Sequence, residues 1–253
     1  MSNSVEPQAF LINLDRSSNR LAEMEKRLAK AKISWQRVPG VDGKVLELDS
    51  CADLDERGYE RWHGKALNIN EAGCYLSHLK AIRTFLASDA KFGLILEDDA
   101  DFPPEFNALL SQLMGASDRW DIVKLSAFHS GTPVRVAKLN PPYDLAVPLS
   151  RHMNANCVLM NRKAAQILVN KLSPMRLPYD HALERAWLWG LKLRIVTPTP
   201  CPPDTGFAST IGIHINLNFP LYQRMPCLWF RLRTELMRLV FGVGHVFFAL
   251  PFK

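Results

Sequence analysis

The feature that most constrains the fold is an apolar segment that leads directly into a cluster of acidic residues. Residues 93–96, Gly-Leu-Ile-Leu, have the composition of a buried strand in an α/β sheet. The acids that follow are Glu97, Asp98, Asp99 and Asp101. Carboxylates this close repel one another and stay ionised only if a cation or hydrogen-bond donors compensate them. Because ligands of open α/β sheets bind beyond the carboxyl ends of strands, the sequence predicts a ligand site here. A solvated acidic turn is the alternative.

The acids and the cysteines together indicate the class of metal. Carboxylate oxygens suit Mn²⁺ or Mg²⁺, above all when a substrate phosphate completes the coordination shell. The five cysteines are dispersed and contain no CxxC pair, which argues against a zinc site and against a disulfide framework. The same pattern favours a reducing compartment.

The composition is that of one large α/β domain. The chain has 253 residues, of which 47% are hydrophobic and 22% charged. A net charge of +6 suits anionic partners such as phosphates, nucleic acid or acidic lipid, without choosing among them. Residues 1–9 lack the basic and apolar regions of a secretory signal.

Apolar periodicity predicts strands alternating with helices. The predicted strands are residues 9–14, 35–38, 93–96, 121–125, 156–161 and 191–196, and the predicted helices are residues 18–31, 70–87, 106–114 and 162–172, with a further one around residues 183–188. Asn70 and Asp180 are candidate helix N-caps. Residues 129–150 are predicted to be an extended loop or an irregular hairpin. Residues 44–68 read as an irregular loop, whose length is uncommon unless it acts as a lid or a binding loop.

The last segment, from about Leu221, has the pattern of a basic amphipathic helix. One side of its helical projection carries Arg224, Arg231, Glu235, Arg238 and His245. The opposite side carries Leu228, Leu232, Leu236, Leu239, Val243 and Phe247, with Arg233 as an exception. The charge-free run at residues 239–252 is too short to span a bilayer. We predict a helix lying in the membrane interface, with a helix docked on the catalytic domain or on a second subunit as the alternative.

Three sequence blocks resemble one family. Glu97-Asp98-Asp99 after an apolar strand is similar to the acidic metal motif of nucleotide-sugar-dependent glycosyltransferases with the GT-A fold. Residues 10–16, Phe-Leu-Ile-Asn-Leu-Asp-Arg, followed by Arg20, resemble the opening strand of glycosyltransferase family 25. Residues 71–78, Glu-Ala-Gly-Cys-Tyr-Leu-Ser-His, resemble the second signature of that family. The blocks keep the family's order over residues 8–102, and the likeness thins downstream to positions such as Asp180 and Ser209.

The resemblance implies a fold and a set of site residues. The fold is a GT-A-like, Rossmann-type α/β sandwich with a mixed, mostly parallel sheet flanked by helices. We expect a catalytic domain at residues 1–216 and the amphipathic tail at residues 217–253. Asp99 and Asp101 are the expected metal ligands, and Asp180 is the expected catalytic base, with Asp144 and Asp204 as rivals. The expected donor-binding residues are Asn13, Leu14, Arg16, Arg20, Asp42, Ser77, His78, Glu97 and Asp98.

Several of these residues have simpler interpretations. Arginine near a helix N-terminus suits phosphate recognition, but Arg16 and Arg20 are also ordinary for a solvated surface. Asp42 lies in a Pro-Gly-rich segment that is equally typical of a reverse turn. Isolated histidines such as His78 are often hydrogen-bonded structural residues.

The resemblance also implies an activity. The expected reaction is the inverting transfer of a hexose, galactose or glucose, from a UDP-sugar to a glycan, with Mn²⁺ or Mg²⁺ as cofactor. The expected acceptor is the oligosaccharide of lipopolysaccharide or lipooligosaccharide, and we expect no nucleic-acid partner. The expected location is the cytoplasmic face of a bacterial inner membrane, with the tail on the membrane surface. The alternatives are a metal-dependent nucleotidyltransferase or hydrolase, and a non-catalytic, membrane-associated glycan-binding module.

Overall fold

The computed structural model describes residues 6–48, 51–129, 131–202 and 221–249. Its strands are β1 (Gln8–Asn13), β2 (Trp35–Pro39), β3 (Phe92–Glu97), β4 (Ile122–Lys124), β5 (Pro133–Lys138), β6 (Asp144–Pro148), β7 (Cys157–Asn161) and β8 (Leu193–Thr197). Its α-helices are α1 (Ser18–Ala31), α2 (Glu56–His63), α3 (Ile69–Ala87), α4 (Phe106–Gly115), α5 (Arg162–Lys171), α6 (Tyr179–Leu183) and α7 (Leu221–Ala249).

The described strands form one mixed sheet in the order β2-β1-β3-β7-β4-β8-β6-β5. Strand β1 pairs in parallel with β2 and β3, and β4 pairs in parallel with β8. The other four pairings are antiparallel. The prediction of a mixed α/β sheet is therefore confirmed, but the parallel share is smaller than expected. The reason is that β7 runs antiparallel between β3 and β4, and β5 and β6 form a hairpin at the far edge.

Helices cover both faces of the sheet, as the alternation of buried side chains along each strand requires. On one face, Ala9 and Leu11 of β1 pack with Met24 and Leu28 of α1 and with the apolar side of α4. On the other face, Phe10 of β1 packs with α3 and α5. These two apolar layers make the α/β sandwich that the sequence predicts.

The segment at residues 44–68 contains a helix that the periodicity does not reveal. Helix α2 is short, and its buried side chains are Tyr59 and His63, one on each of two successive turns. Of the other residues of α2, four are charged and Gly58 is a weak helix former, so the pattern resembles a loop. Asp55 caps this helix, since its carboxylate accepts a hydrogen bond of 2.8 Å from the Gly58 amide.

Two predicted caps are wrong. Helix α3 begins at Ile69, and its cap is Asn68, whose side-chain oxygen accepts from the Asn70 amide at 2.8 Å. Helix α6 begins at Tyr179 with Pro178 at the N-cap position, so Asp180 lies inside the first turn. In both cases a neighbouring residue of suitable conformation precedes the expected one.

Within the segment predicted as an extended loop or an irregular hairpin, two strands form a hairpin with one irregularity. The terminal helix has one exposed apolar side, as predicted. Strands β5 and β6 pair from Pro133–Pro148 to Lys138–Asp144, with one irregularity near Val136. Helix α7 docks on the domain through the buried Arg238 and Cys227 and through Phe230 and Phe241, whose rings pack on Trp62 and Trp187. Its apolar side faces outward and includes Trp229, Leu232, Leu236 and Val243. No described helix has the length and apolar character that a membrane crossing needs.

Candidate active site

A large cleft lies at the carboxyl ends of β1, β2 and β3. Its volume is about 680 Å³. Predicted site residues that line it are Asn13, Leu14, Arg16, Arg20, Asp42, Ser77, His78, Glu97, Asp98, Asp99 and Asp180. Parallel strands end at one edge of a sheet, so residues far apart in sequence meet there. The structure therefore brings together eleven of the twelve predicted site residues.

Asp98 is held by a network that compensates its charge. Its two carboxylate oxygens accept hydrogen bonds from Asn13 Nδ2 at 2.8 Å and from Arg20 Nη1 at 3.0 Å. Asn13 is itself buried, and its Oδ1 accepts two bonds from Arg37, at 3.1 and 3.2 Å. Hydrogen bonds to a carboxylate from charged donors are among the stronger ones in proteins. Asp98 therefore serves to fix Arg20 and the β1 end of the cleft.

The loop after β2 is fixed to the start of α3. The Ser77 hydroxyl donates to the Gly73 carbonyl at 2.7 Å and accepts from the Val41 amide at 2.8 Å. A Cβ at Gly73 would lie 2.6 Å from the Val41 carbonyl oxygen, so only glycine permits this close approach. The carboxylate of Asp42 accepts from the Lys44 amide at 3.0 Å and forms an ion pair with Arg16. This contact places the Arg16 guanidinium at the edge of the cleft.

His78 links α3 to the acidic end of β3. Its Nε2 lies 2.9 Å from Glu97 Oε1, and its ring stacks on Tyr179 with centroids 3.8 Å apart. The Cys74 thiol joins them, so that ligand atoms of Cys74, His78 and Glu97 lie within 4.8 Å of one another. Burial, with nearby acids, raises the pKa of Cys74 well above its usual value, so the thiol is neutral. Mn²⁺ and Mg²⁺ prefer oxygen ligands to sulfur, and we assign Cys74 to packing.

Asp99 is the least compensated acid of the cluster. Burial raises its pKa to about 6, and the charges of Glu97 and Asp98 act in the same direction. The opposing contacts are weaker: Asn156 Nδ2 donates to Asp99 Oδ1 at 3.4 Å, and Arg20 adds a favourable charge. A bound cation would favour the ionised form that this environment disfavours.

Asp101 is the one predicted site residue that does not line this cleft. Its side chain is 58% exposed and lies 3.7 Å from Arg27 Nη1. One carboxylate oxygen accepts from the Phe102 amide at 2.9 Å. The chain turns after Asp99 and buries Ala100, so Asp101 points elsewhere. The expectation that Asp101 shares a metal with Asp99 is therefore not supported by its position.

Asp180 lines the same cleft from α6. Its Oδ1 accepts from the His181 amide at 2.8 Å, and its Oδ2 accepts from the Asn154 amide at 3.4 Å. Of its rivals, Asp144 is the first residue of β6 and pairs with Arg135 at 3.8 Å, away from the residues that line the cleft. Asp204 and Ser209 lie outside the described residues.

The segment before β7 supplies site residues that the sequence reasoning missed. Asn154 and Asn156 line the cleft and contact Asp180 and Asp99, respectively. Asn154 has a φ of 90°, which is uncommon for a residue other than glycine. Their position just before a buried strand is the sequence feature that could have indicated them. That feature becomes informative only once β7 is known to pair antiparallel with β3, because this pairing brings the start of β7 beside the end of β3.

The residues around Asp99 fit a divalent cation. Glu97 and Asp99 provide carboxylate oxygens, and Asn156 Oδ1 is buried without a hydrogen-bond partner among the described residues. Carboxylate and amide oxygens are the ligands that Mn²⁺ and Mg²⁺ take in proteins. The raised pKa of Asp99 is consistent with a site in which like charges await a counter-ion.

Residues 6–183 match the model of glycosyltransferase family 25, described as an LPS biosynthesis protein. The S. aureus TarS 1–349 crystal structure superposes with a TM-score of 0.45 at 13% identity, covering 97% of this chain and 81% of that one.

The sequence relatives are longer proteins. A glycosyltransferase 25 family member of Drosophila pseudoobscura pseudoobscura is 37% identical over 103 residues, which is 39% of this chain and 16% of that protein. Procollagen galactosyltransferase 1 of Danio rerio is 31% identical over 124 residues, which is 46% of this chain and 20% of that protein. The matched part is thus about a fifth or less of each relative. All residues of the cleft lie within residues 6–183, the range of the family match, and the chain belongs to glycosyltransferase family 25.

Proposed function

We propose that this protein is an inverting, metal-dependent glycosyltransferase that moves a hexose from a UDP-sugar to a glycan. The observation that carries the proposal is that one cleft contains both an acidic cluster at the end of β3 and a separate carboxylate, Asp180, on α6. A single displacement at a sugar carbon needs these two parts. One stabilises the departing diphosphate, and the other takes the proton of the attacking hydroxyl.

The donor is proposed to bind at the ends of β1 and β3. Arg16 and Arg20 line this part of the cleft, and guanidinium groups pair well with phosphate oxygens. Mn²⁺ or Mg²⁺ held by Glu97, Asp99 and Asn156 would supply positive charge for the diphosphate leaving group. Asn13 and Asp98 hold Arg20 in place, so their role is to position the donor site.

The acceptor is proposed to lie beside Asp180. The two backbone amide donors on the Asp180 carboxylate, from Asn154 and His181, orient it in the cleft. An ionised carboxylate can take the proton of an acceptor hydroxyl as that hydroxyl attacks. Because the hydroxyl attacks the face opposite the diphosphate, an α-linked donor gives a β-linked product. No covalent intermediate on the protein is needed.

The donor hexose and the acceptor class are further parts of the proposal. Galactose is favoured because several relatives are named procollagen galactosyltransferases, and glucose is the alternative. The family description names LPS biosynthesis, and we propose a lipopolysaccharide or lipooligosaccharide acceptor at the cytoplasmic face of a bacterial inner membrane. The outward apolar side of α7 supports attachment to that surface, and Arg224 and Arg233 are exposed beside it.

Product analysis tests the proposal against its alternatives. The full chain is incubated with Mn²⁺ and each UDP-hexose, with and without lipid-linked oligosaccharides, and the products are separated. We expect UDP and a new β-glycoside. Free sugar as the principal product would indicate a hydrolase instead. Pyrophosphate released in a parallel incubation with UTP and a hexose 1-phosphate would indicate a nucleotidyltransferase. Failure to bind UDP in the presence of Mn²⁺ would indicate a glycan-binding module.

A further inference from the structure

A second cleft, which we call the arginine cleft, lies between α7 and the end of the catalytic domain next to α6. Its volume is about 30 Å³, against about 680 Å³ for the active-site cleft. Its walls include Arg151, Arg185, Arg231 and Arg238, with Trp62 and Phe230 as the aromatic part. His63 and His181 line both this cleft and the active-site cleft, so the two are neighbours.

Two of the four arginines have carboxylate partners. Arg238 lies 2.6 Å from Glu235 and 3.2 Å from Glu184, and Arg151 lies 2.6 Å from Glu235. Glu184 also pairs with the buried Lys124 at 2.9 Å. These two carboxylates therefore balance two of the three cations that contact them.

The other two arginines have no such partner. Arg231 donates to the His63 carbonyl at 2.8 Å, and Arg185 lies over the Phe230 ring with its Cζ 4.4 Å from the centroid. Neither forms an ion pair within the part of the chain that the structure describes. Arg185 Nε is buried and has no hydrogen-bond partner there. Buried polar groups are normally satisfied, and the half-buried Arg185 side chain has no anion beside it among the described residues.

The electrostatics of Arg185 agree with this geometry. Burial lowers its pKa to about 10, and the nearby charges of Arg233 and Arg238 act in the same direction. Positive charge at the arginine cleft therefore exceeds the negative charge that the described residues provide. An anionic ligand would both compensate the charge and satisfy the open donor.

We propose that the arginine cleft binds a phosphate group through Arg185 and Arg231, and that this group belongs to the acceptor or to its lipid. The second part of the proposal rests on the proposed function. Guanidinium groups match phosphate geometry with paired hydrogen bonds. Because the cleft adjoins the walls that carry His63 and His181, a bound phosphate would place the attached glycan beside Asp180. The cleft would thus select acceptors that carry a phosphate at a fixed distance from the reacting hydroxyl.

The test is the binding of inorganic phosphate to the full chain, measured by titration calorimetry. Saturating UDP and Mn²⁺ are added so that the donor cleft does not contribute phosphate binding. We expect Arg185→Gln and Arg231→Gln each to weaken phosphate binding about tenfold or more, because each removes a charge-assisted contact. The matched control is Arg135→Gln, an exposed arginine of β5, which should bind phosphate as the wild type does. Wild-type binding in both cleft variants would overturn the proposal.

Two further arms identify the source of the phosphate and separate this proposal from the proposed function. Vesicles of phosphatidylglycerol and soluble galactose 6-phosphate are titrated against the same variants. A loss confined to vesicles assigns the site to a lipid headgroup, and a loss confined to the sugar phosphate assigns it to a phosphorylated glycan.

If the chain does not bind UDP, the proposed function fails. In that case, titration without UDP still shows whether phosphate binding depends on Arg185 and Arg231. Any phosphate binding elsewhere on the protein is also present in the Arg135→Gln control. Arg231 lies on the surface of α7, so its variant remains informative even if Arg185→Gln does not fold.

Discussion

At the scale of single residues, the acids of the β3 end are distinguished by their partners. Asp98 is compensated by Arg20 and Asn13, and Glu97 by His78. Asp99 has only a long hydrogen bond of 3.4 Å from Asn156 and is surrounded by like charges. The acidic motif identifies the cluster from sequence, but it does not show which of its acids has the fewest compensating partners. That depends on hydrogen-bond donors that come from β1, α1, α3 and the segment before β7.

This difference predicts opposite effects on stability. The pKa of Asp99 is raised to about 6 in the folded protein, so the unfolded chain ionises it more readily and the folded state loses stability as the pH rises from about 4 to 6. Asp99→Asn removes that cost and should raise the free energy of unfolding at pH 7, without metal, by about 1–2 kcal/mol. Asp98→Asn should lower it by about 1–3 kcal/mol, since Arg20 and Asn13 lose a charged acceptor. Urea denaturation measures both. Equal effects of the two variants would contradict the assignment.

Asp180 provides the second prediction at this scale. Pro178, not Asp180, occupies the N-cap position of α6, so Asp180→Asn should leave the melting temperature nearly unchanged. If Asp180 is the general base, the variant should lower kcat by about 10²–10⁴-fold while UDP and Mn²⁺ bind as in the wild type. Steady-state kinetics and calorimetry separate these quantities. Asp144→Asn is the control, because Asp144 lies away from the cleft. Unchanged kcat in the Asp180 variant would rule out this role, and an α-linked product would refute the inverting mechanism.

At the scale of elements, α7 is compatible with both predictions made for it from the sequence, a helix docked on the domain and a helix whose apolar side lies in a membrane interface. The inner side docks on the domain, with Arg238 buried against Glu184, while the outer side, which carries Trp229, Leu232 and Leu236, remains exposed. A docked helix can therefore still present an apolar surface to a membrane. Because Arg238 belongs to a buried charge network, deletion of the whole helix would disturb the domain, and substitutions on one side are the sharper test.

The outer side of α7 should govern membrane binding without affecting folding. Replacing Trp229, Leu232 and Leu236 with glutamine should release the protein from phosphatidylglycerol vesicles and leave its melting temperature within a few degrees of the wild type. Salt should weaken wild-type binding, since basic side chains near an anionic surface each contribute about 1 kcal/mol. Co-sedimentation with vesicles measures both effects. As a contrast, Arg238→Ala should lower stability by roughly 3 kcal/mol, because it leaves Glu184 short of a partner. Vesicle binding equal to the wild type in the triple variant would instead favour a second subunit as the occupant of this surface.

At the scale of the whole molecule, the sequence predicts the parts whose pattern is local. The strand and helix at residues 8–31, the strand before the acids and the sidedness of α7 all follow from apolar periodicity. The antiparallel insertion of β7, the helix α2 and the contacts of Asn154 and Asn156 do not, because they depend on pairings between distant segments. The site was therefore predicted where its residues end a parallel strand, and missed where an antiparallel strand completes it. The predicted domain boundary at residue 216 lies outside the described residues and stays a prediction.

The cleft at the end of β3 is proposed to be a metal-dependent UDP-sugar site centred on Asp99. The most direct measurement is UDP-hexose turnover as a function of Mn²⁺ concentration in the wild type, Asp99→Asn and Asp101→Asn. The two variants lose the same charge two positions apart, but only Asp99 lines the cleft. We predict that Asp99→Asn abolishes Mn²⁺-stimulated turnover and that Asp101→Asn retains it. Near-normal turnover and Mn²⁺ dependence in Asp99→Asn would contradict the account.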